Sequence, residues 1–182
     1  MSGGHGGHVD PSNKKIALLI AVLALVLAFS ETLGKASQTA ALTLNIEASN
    51  LWAFFQAKTI RQTVIRTAAE QVDTTNLNEK SKKQVDAWRK TADRYQSEPE
   101  TNEGRKELAE RAKAAEAKRD RAMAAYHQYE LASAAVQIAI VLASAAIITG
   151  AVALTWIGVG LGVVGIVFCG IGFFAPTAVH LF

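Results

Sequence analysis

The last part of the chain lacks charge altogether. From Leu131 to Phe182 the sequence contains no Lys, Arg, Asp or Glu. A bilayer core of about 30 Å is spanned by about 20 apolar residues in a helix, so this segment is long enough to cross twice. It does not alternate apolar and polar residues as a barrel strand does, and backbone groups in hydrocarbon must be paired internally. The absence of charge therefore predicts a helical hairpin in a membrane.

Cysteine and proline are scarce. The single cysteine, Cys169, excludes an intramolecular disulfide and is interpreted as a small packing residue in an apolar helix. The three prolines are Pro11, Pro99 and Pro176, and each lies where a helix is expected to begin or end. Long uninterrupted helices are therefore expected between them.

No block of basic residues stands alone, although the formal net charge is +3. Basic and acidic residues alternate, as in EGRKELAERAKAAEAKRDR. Interleaving of this kind is typical of a solvated helix face and argues against nucleic-acid binding.

A first apolar segment, IALLIAVLALVLAF, follows Lys14 and Lys15. Asp10 is expected to cap its helix, with Pro11 at the first helical position. The same features also describe a cleaved secretory signal peptide, which is the alternative. Helix-forming residues without proline continue well beyond Gly34, which favours a retained transmembrane helix with Glu31 within one turn of the interface.

The middle of the chain is expected to be helical and extramembrane. One apolar stripe is predicted before a turn at Asp73–Asn76: Ala53, Ala57, Ile60, Val64, Ala68 and Val72. A shorter helix over about Glu79–Tyr95 carries Val85, Trp88, Ala92 and Tyr95 on one face.

After the break at Pro99, a helix is expected from about Asn102 with Thr101 as its cap. Its seam follows a four-three spacing: Leu108, Ala112, Ala115, Arg119, Ala122, Tyr126 and Tyr129. Since no Pro or Gly lies between Arg105 and Thr149, this helix is predicted to run unbroken into the second span.

The sequence thus predicts an all-α integral membrane protein with three transmembrane helices and a helical hairpin or coiled-coil region between spans one and two. The predicted segments are a disordered Gly/His tail (residues 1–14), span one (15–34), the extramembrane helical domain (35–130), span two (131–150), span three (156–175) and a short tail (176–182).

Three segments resemble a known bacterial family. They are IEASNLWAFFQAKTIRQTVIRTAAE (46–70), YHQYEL (126–131) and QIAIVLAS (137–144). The chain is similar over about Lys15–Phe174 to domain-of-unknown-function family 4337, with NLWAFFQAK the most specific part. The resemblance implies a three-span membrane protein and supplies no activity, cofactor or catalytic residue. It also implies basic residues in the turn between the last two spans, which the segment TGAVALT lacks.

Glycines in the last apolar segment form two patterns. Gly160, Gly162 and Gly165 match the GxGxxG fingerprint of dinucleotide-binding proteins, but no strand is expected before them and no acidic residue follows. That match is interpreted as coincidental. Gly158 and Gly162 lie four apart, a spacing that lets two helix backbones approach closely. Gly158, Gly162 and Gly165 are therefore predicted helix-contact residues.

Few polar side chains lie near the predicted membrane. Glu31, His127 and Glu130 are expected at the interface, at matching depth if spans one and two are neighbours. Anchoring there is favoured over a His–Glu proton relay. Gln137 lies about two turns inside and is expected to bond to another helix.

Enzyme and cofactor motifs are absent from the sequence. GxSxG, P-loop and HExxH patterns do not occur, and His5 and His8 without a third ligand make a poor metal site. No catalytic activity, cofactor or metal is therefore expected.

Two functions remain open from the sequence. The favoured one is a membrane-anchored helical scaffold that self-associates or binds an unidentified protein partner. The alternative is a small transport or channel-like component, which is less favoured because the spans lack charged and proline-broken helices. A homo-oligomer is expected, with Trp52, Trp88 and the glycine face of span three contacting other chains.

Orientation is predicted from the charges that flank span one. Lys14 and Lys15 favour a cytoplasmic N-terminus, with the helical domain in the periplasm and the protein in the inner membrane. Basic residues on the domain side argue the other way, but they lie in a long loop that this rule governs poorly.

Overall fold

The computed structural model describes residues 11–72 and 78–179. These residues form four helices and no strand: α1 Pro11–Gln71, α2 Glu79–Gln96, α3 Arg105–Thr149 and α4 Val152–Phe174. The all-α prediction is confirmed, and α1 begins at Pro11 as expected. Three predictions lie outside the described residues: the Asp10 cap, the turn at Asp73–Asn76 and most of the disordered N-terminal tail.

Three of the helices, α1, α3 and α4, are long and apolar enough to cross a membrane. Of the residues in their most apolar windows, only 11%, 28% and 22% are buried within the chain. Most of this apolar surface therefore faces outward. The structure is compatible with a multi-pass membrane protein.

The chain divides into two compact units. Unit 1 comprises Met1–Ala40 and Arg121–Phe182, and unit 2 comprises Ala41–Asp120. α1 and α3 each contribute to both units without interruption. The predicted continuity of the helix through residues 105–149 is thus confirmed, as is the extension of the first helix well past Gly34.

The predicted seam of α3 is buried or half-buried along its whole length, and it continues through α3 at spacings of three and four. The fully buried positions of this continuation are Ala132, Val136, Ala139, Ala143 and Ala146. In unit 1, Val136 and Ala139 pack with Leu23 of α1, and in unit 2, Leu108, Ala112 and Ala115 pack with Ala48 and Leu51. Alanine buries little area, but it permits close approach of the helices.

The stripe predicted on the second half of α1 is not the face that packs against α3: three of its six residues are exposed and three are half-buried. Ile60 is 65% exposed and Val64 is 62% exposed. The buried face of α1 in unit 2 instead contains Lys58 and Gln62 together with Ala48, Leu51 and Ala69. Hydrophobicity alone does not predict the buried face of α1, because Lys58 and Gln62 have polar partners inside the unit.

The polar partners come from α2, from the segment after it and from the start of α3. The Lys58 ammonium lies 3.4 Å from a Glu98 carboxylate oxygen and faces the rings of Phe54 and Tyr95, 5.5 and 5.2 Å from their centroids. The Gln62 amide donates to the Ala92 carbonyl at 2.9 Å, and its oxygen accepts from the Arg105 guanidinium. Buried polar groups are stable when they are paired in this way.

The connection between α2 and α3 is longer than predicted. Asn102 has a φ of 57°, in the left-handed region, so the helix cannot begin there with Thr101 as its cap, and α3 begins at Arg105. A Cβ on Gly104 would lie 2.7 Å from the Ser97 Cα and collide with the Glu98 backbone nitrogen. Close approach of the backbone therefore requires glycine at this position.

The turn between α3 and α4 is shorter than predicted. Gly150 has a φ of 68° and donates to the Ala146 carbonyl at 3.0 Å, which ends α3 in the left-handed conformation that glycine favours. The helix α4 begins at Val152, whereas span three was expected from residue 156.

The carboxylate of Glu107 stabilises the α2–α3 connection and predicts a pH dependence. It accepts from the Ser97 hydroxyl at 2.6 Å and from the Glu98 backbone N–H at 3.1 Å. The Ser97 hydrogen bond lowers the pKa of Glu107 below its ordinary value. The ionised Glu107 therefore stabilises the folded connection fully above the ordinary glutamate pKa. This stabilisation is lost as the pH falls through the lowered pKa of Glu107. The backbone amides of residues 97–108 should lose protection from hydrogen exchange over that acidic range, after correction for the intrinsic exchange rates.

The matched variants are Glu107→Gln and Glu110→Gln. Glu107→Gln should weaken protection at neutral pH and remove this titration. Glu110 is exposed on the same helix, so the protection of residues 97–108 in Glu110→Gln should depend on pH as in the wild type. Identical pH profiles for the wild type and Glu107→Gln would contradict the assignment.

Candidate functional site

The glycines of α4 lie against other helices of the same chain. A Cβ on Gly158 would lie 3.1 Å from the Ala139 carbonyl oxygen of α3. On Gly165 it would collide with Val136 Cγ2 and lie 3.1 Å from the Ala132 carbonyl oxygen. The three predicted contact glycines are all buried, and a Cβ on Gly162 would lie 2.6 Å from Cδ2 of Leu23 in α1.

This arrangement corrects one sequence-based expectation. The glycine face was expected to need a neighbour from another chain, but α1 and α3 already cover it. Trp52 is also engaged within the chain, since its indole N–H donates to Glu116 at 2.8 Å and its ring stands edge-on to Phe55. Trp88 is half-buried on the predicted face of α2. The glycine face and Trp52 therefore have partners within the chain.

The GxGxxG match lies wholly inside the helix α4. The described residues contain no strand before it, so the interpretation as a coincidence is supported. Among the described residues, no group of three or more His, Cys, Asp or Glu side chains is placed to hold a metal ion. The weak His5–His8 pair lies outside the described part of the chain.

The four predicted polar residues form two separate pairs in unit 1. The Gln137 amide of α3 donates to the Glu31 carboxylate of α1 at 3.3 Å, which is the inter-helix partner expected for Gln137. His127 Nδ1 lies 3.8 Å from a carboxylate oxygen of Glu130, one turn along the same helix. The Tyr126 hydroxyl donates to Glu130 at 3.4 Å. His127 thus pairs within α3 rather than across to Glu31.

A cavity of about 320 Å³ lies between α1 and α3 beside Glu31 and Glu130. α1 contributes Ser30, Glu31, Gly34, Lys35 and Gln38, and α3 contributes Tyr126, Tyr129, Glu130 and Ser133. The buried residues of this lining are Ser30, Gly34, Tyr129 and Ser133. Glu31, Lys35 and Glu130 are exposed. The cavity therefore has a buried floor and a charged rim.

The rim carries charges of both signs. Two residues with carboxylates, Glu31 and Glu130, and one with an ammonium, Lys35, line the cavity. The carboxylates have protein partners, but no ion pair or hydrogen bond involves the Lys35 ammonium within the described residues. Lys35 is therefore a free cation beside two anchored anions.

The floor contains an unpaired hydroxyl. Ser133 is 9% exposed and lines the cavity, yet its hydroxyl has no hydrogen-bond partner in the part of the chain that the structure describes. Ser30, in contrast, is fully buried and donates to Cys169 Sγ of α4 at 3.6 Å. The Ser133 hydroxyl keeps some accessible surface, since Gln128 Oε1 alone is both fully buried and unpartnered among the described residues, and it is therefore open to a polar group in the cavity.

Sequence reasoning identified the carboxylates but missed the cavity. The missing residues were Ser30, Gly34, Lys35 and Ser133. A signal was present, because Ser30 and Gly34 lie four apart on one helix face and Ser133 lies four residues from Tyr129. Small residues flanking a large ring leave space beside it, but only the pairing of α1 with α3 shows that they meet.

Gln128 was missed as well. It is 1% exposed, donates to the Val179 carbonyl at 3.2 Å and has an amide oxygen without a partner among the described residues. Its Cβ lies against Gly172 of α4. The side chain ties the segment after α4 to α3.

Comparison with known protein families shows a match. The family described as "Domain of unknown function (DUF4337)" matches residues 12–175. The extent agrees with the resemblance seen in the sequence. No curated protein and no solved structure matches the chain.

The glycine contacts predict a graded response to single alanine substitutions. Gly165→Ala should destabilise the protein by about 1–3 kcal/mol, because the added methyl meets the stiff side chain of Val136 and a backbone carbonyl. Gly162→Ala should cost less, since the flexible end of Leu23 can move. Thermal unfolding in a mild detergent measures both effects.

Gly160→Ala is the matched control, because a Cβ there meets nothing within 4 Å. It should leave the unfolding temperature unchanged or raise it, as alanine favours the helix over glycine. Equal destabilisation by Gly160→Ala and Gly165→Ala would contradict the packing described.

Proposed function

The chain belongs to the DUF4337 family, and we propose that it is a non-catalytic, membrane-anchored helical scaffold that self-associates. The observation that carries this proposal is the combination of three apolar helices in unit 1 with an exposed apolar stripe on α1 in unit 2. The first feature supports anchoring, and the second supports association.

Membrane insertion is supported by the outward-facing side chains of unit 1. Large apolar residues are exposed on all three long helices, for example Phe29 at 59%, Val141 at 66% and Trp156 at 72%. Exposed apolar surface of this extent on a soluble monomer is rare, whereas in a bilayer it meets hydrocarbon. Helices also satisfy their own backbone groups, as a bilayer requires.

The orientation proposed is a cytoplasmic N-terminus with the helical domain in the periplasm of a bacterial inner membrane. Lys14 and Lys15 precede the first apolar segment directly, and basic residues close to a short N-terminal segment govern orientation most strongly. Two further spans would return the C-terminus to the side of the helical domain.

A scaffold is favoured over a transport component by the polar groups within α3. The hydroxyls of Ser144 and Thr149 donate to the Ile140 and Ala145 carbonyls of their own helix, at 2.8 and 2.9 Å. Hydroxyls engaged in this way have no proton left to donate to a permeating solute. This favours the scaffold over the transport component.

Self-association is assigned to the stripe formed by Leu42, Ile46, Ala53, Ile60 and Val64. All five are exposed, and at about 100° per residue they lie on the side of α1 opposite the buried face through Leu51 and Lys58. At about 1.5 Å per residue the stripe is about 33 Å long. An uncharged stripe of this length on a solvated helix is typical of a helix-pairing surface.

The occupant proposed for the stripe is a second copy of the same chain. Ile46, Ala53 and Ile60 are seven residues apart, the spacing of a parallel coiled coil in which equal positions meet. A two-fold axis along the membrane normal holds two anchored copies parallel and brings each stripe onto its equivalent. Confinement to one membrane also raises the effective concentration of the copies.

Labelling of introduced cysteines tests the topology. In a Cys169→Ala background, Glu100→Cys and Thr177→Cys should be labelled from the same side of the membrane. Asn13→Cys should be labelled from the opposite side, since one crossing separates it from Glu100. Labelling of Glu100→Cys and Thr177→Cys from opposite sides would rule out two crossings by the last apolar segment.

A matched pair of exposed alanines tests self-association. In the same background, oxidation in the membrane should cross-link Ala53→Cys to its copy and leave Ala117→Cys uncross-linked, because Ala117 is exposed on α3 away from the stripe. Ala53→Glu should lower the oligomeric mass in a mild detergent, since two carboxylates would face each other. Ala117→Glu should not change it.

A monomeric wild type in several mild detergents, combined with equal cross-linking at the two positions, would refute pairing through the stripe. Cross-linking at Ala117→Cys alone would place the interface on α3.

A further inference from the structure

We propose that the cavity between α1 and α3 binds the headgroup of an amine-bearing zwitterionic phospholipid. The ammonium lies between the carboxylates of Glu31 and Glu130, and the phosphate lies at the Lys35 ammonium. The inference rests on the membrane anchoring proposed above, and it assigns to unit 1 a specific ligand that a scaffold does not require.

The position of the cavity favours a lipid over a solute. Glu31, Lys35 and Glu130 lie where the apolar segments of α1 and α3 meet charged sequence, so the proposed insertion puts them at the depth of headgroups. Tyr126 and Tyr129, on the α3 side, are residues that membrane proteins place at this depth. The apolar floor beside the charged rim suits the glycerol and first methylenes of a lipid.

The charges of the rim select a zwitterion. Two carboxylates and one ammonium sum to one negative charge, so a purely anionic headgroup would meet net repulsion. A purely cationic ligand would leave Lys35, which has no ion pair within the described residues, beside another cation. An aminoethyl phosphate supplies both charges, and hydrogen bonds between ionised partners are the stronger kind.

The unpaired hydroxyl of Ser133 supplies a further polar contact. Because this residue lines the cavity and its hydroxyl makes no hydrogen bond within the described residues, it can donate to a phosphate or ester oxygen of the ligand. A cavity of about 320 Å³ holds about ten groups of the size of water, which accommodates an aminoethyl phosphate and part of the glycerol. Size, charge and donor pattern thus agree on one class of ligand.

Native mass spectrometry of the purified full-length protein in a mild detergent tests the inference. Phosphatidylethanolamine, phosphatidylcholine and phosphatidylglycerol would be titrated separately, together with water-soluble phosphoethanolamine. Phosphatidylethanolamine should bind about tenfold more tightly than phosphatidylglycerol, which lacks the ammonium. Phosphatidylcholine should bind less tightly than phosphatidylethanolamine, because its ammonium has no N–H to donate.

Two conservative pairs of variants localise the binding. Lys35→Gln and Glu130→Gln should each weaken phosphatidylethanolamine binding about fivefold or more, since each removes one charge of the rim. Lys113→Gln and Glu110→Gln change the same residue types at exposed positions of unit 2 and should bind like the wild type. All four positions are exposed, so the folds of the variants should be comparable.

Each other outcome overturns the inference in a recognisable way. Equal affinity for phosphatidylethanolamine and phosphatidylglycerol, or equal binding by Lys35→Gln and Lys113→Gln, would mean non-selective annular lipid. Equally tight binding of soluble phosphoethanolamine would make the ligand a solute. Release of the protein from membranes by alkaline carbonate would instead refute the proposed anchoring, and the lipid measurement would distinguish the two failures.

Discussion

The packing of unit 1 depends on small side chains along α3. Its buried seam there is mostly alanine, and the facing side of α4 is glycine, so the backbones approach until a Cβ on Gly158 would touch a carbonyl oxygen. In the proposed membrane, hydrocarbon surrounds the helices and apolar burial gives no net drive for association. Dispersion and weak Cα–H···O contacts then hold the helices together, and both require short distances. Small residues are therefore the condition for the three-helix arrangement.

Unit 2 is governed by a different constraint, the pairing of buried polar groups. Lys58 is 6% exposed, and a buried ammonium is stable only with partners, here Glu98 and two aromatic rings. Arg105 similarly reaches Thr59, Gln62 and Gln96. These bonds fix the rotation of α1 about its axis. The more apolar face through Ile60 is consequently left outside, which is why it is available to a second chain.

Features governed by local sequence were predicted well. The second helix was expected over Glu79–Tyr95 and is α2, Glu79–Gln96, because an Asn78 cap and Pro99 mark its ends. The α3 seam and the three apolar helices follow from periodicity and composition. The failure at α1 involves long-range partners, because its buried face is set by Glu98 and Arg105, which the pattern of α1 does not contain. The start of α3 was misplaced for a related reason, since the backbone of Asn102 and the close contact at Gly104 are set by the folded connection.

The cavity follows from one bulky residue in an otherwise small-residue interface. Tyr129 is 4% exposed. A Cβ on Gly172 of α4 would lie 3.0 Å from its Cε1, and a Cβ on Gly34 of α1 would lie 3.4 Å from its Cβ. Glycine on both neighbouring helices accommodates the tyrosine without displacing them. The adjacent lining residues Ser30 and Ser133 are too small to fill the space that the ring leaves beside it. A carboxylate pair and a lysine could be recognised in the sequence, but the volume between them arises only where three helices meet around Tyr129. The space beside the ring and the charged residues that line it come from the same two stretches, residues 30–38 of α1 and 126–133 of α3, and this coincidence is the basis of the proposed headgroup site.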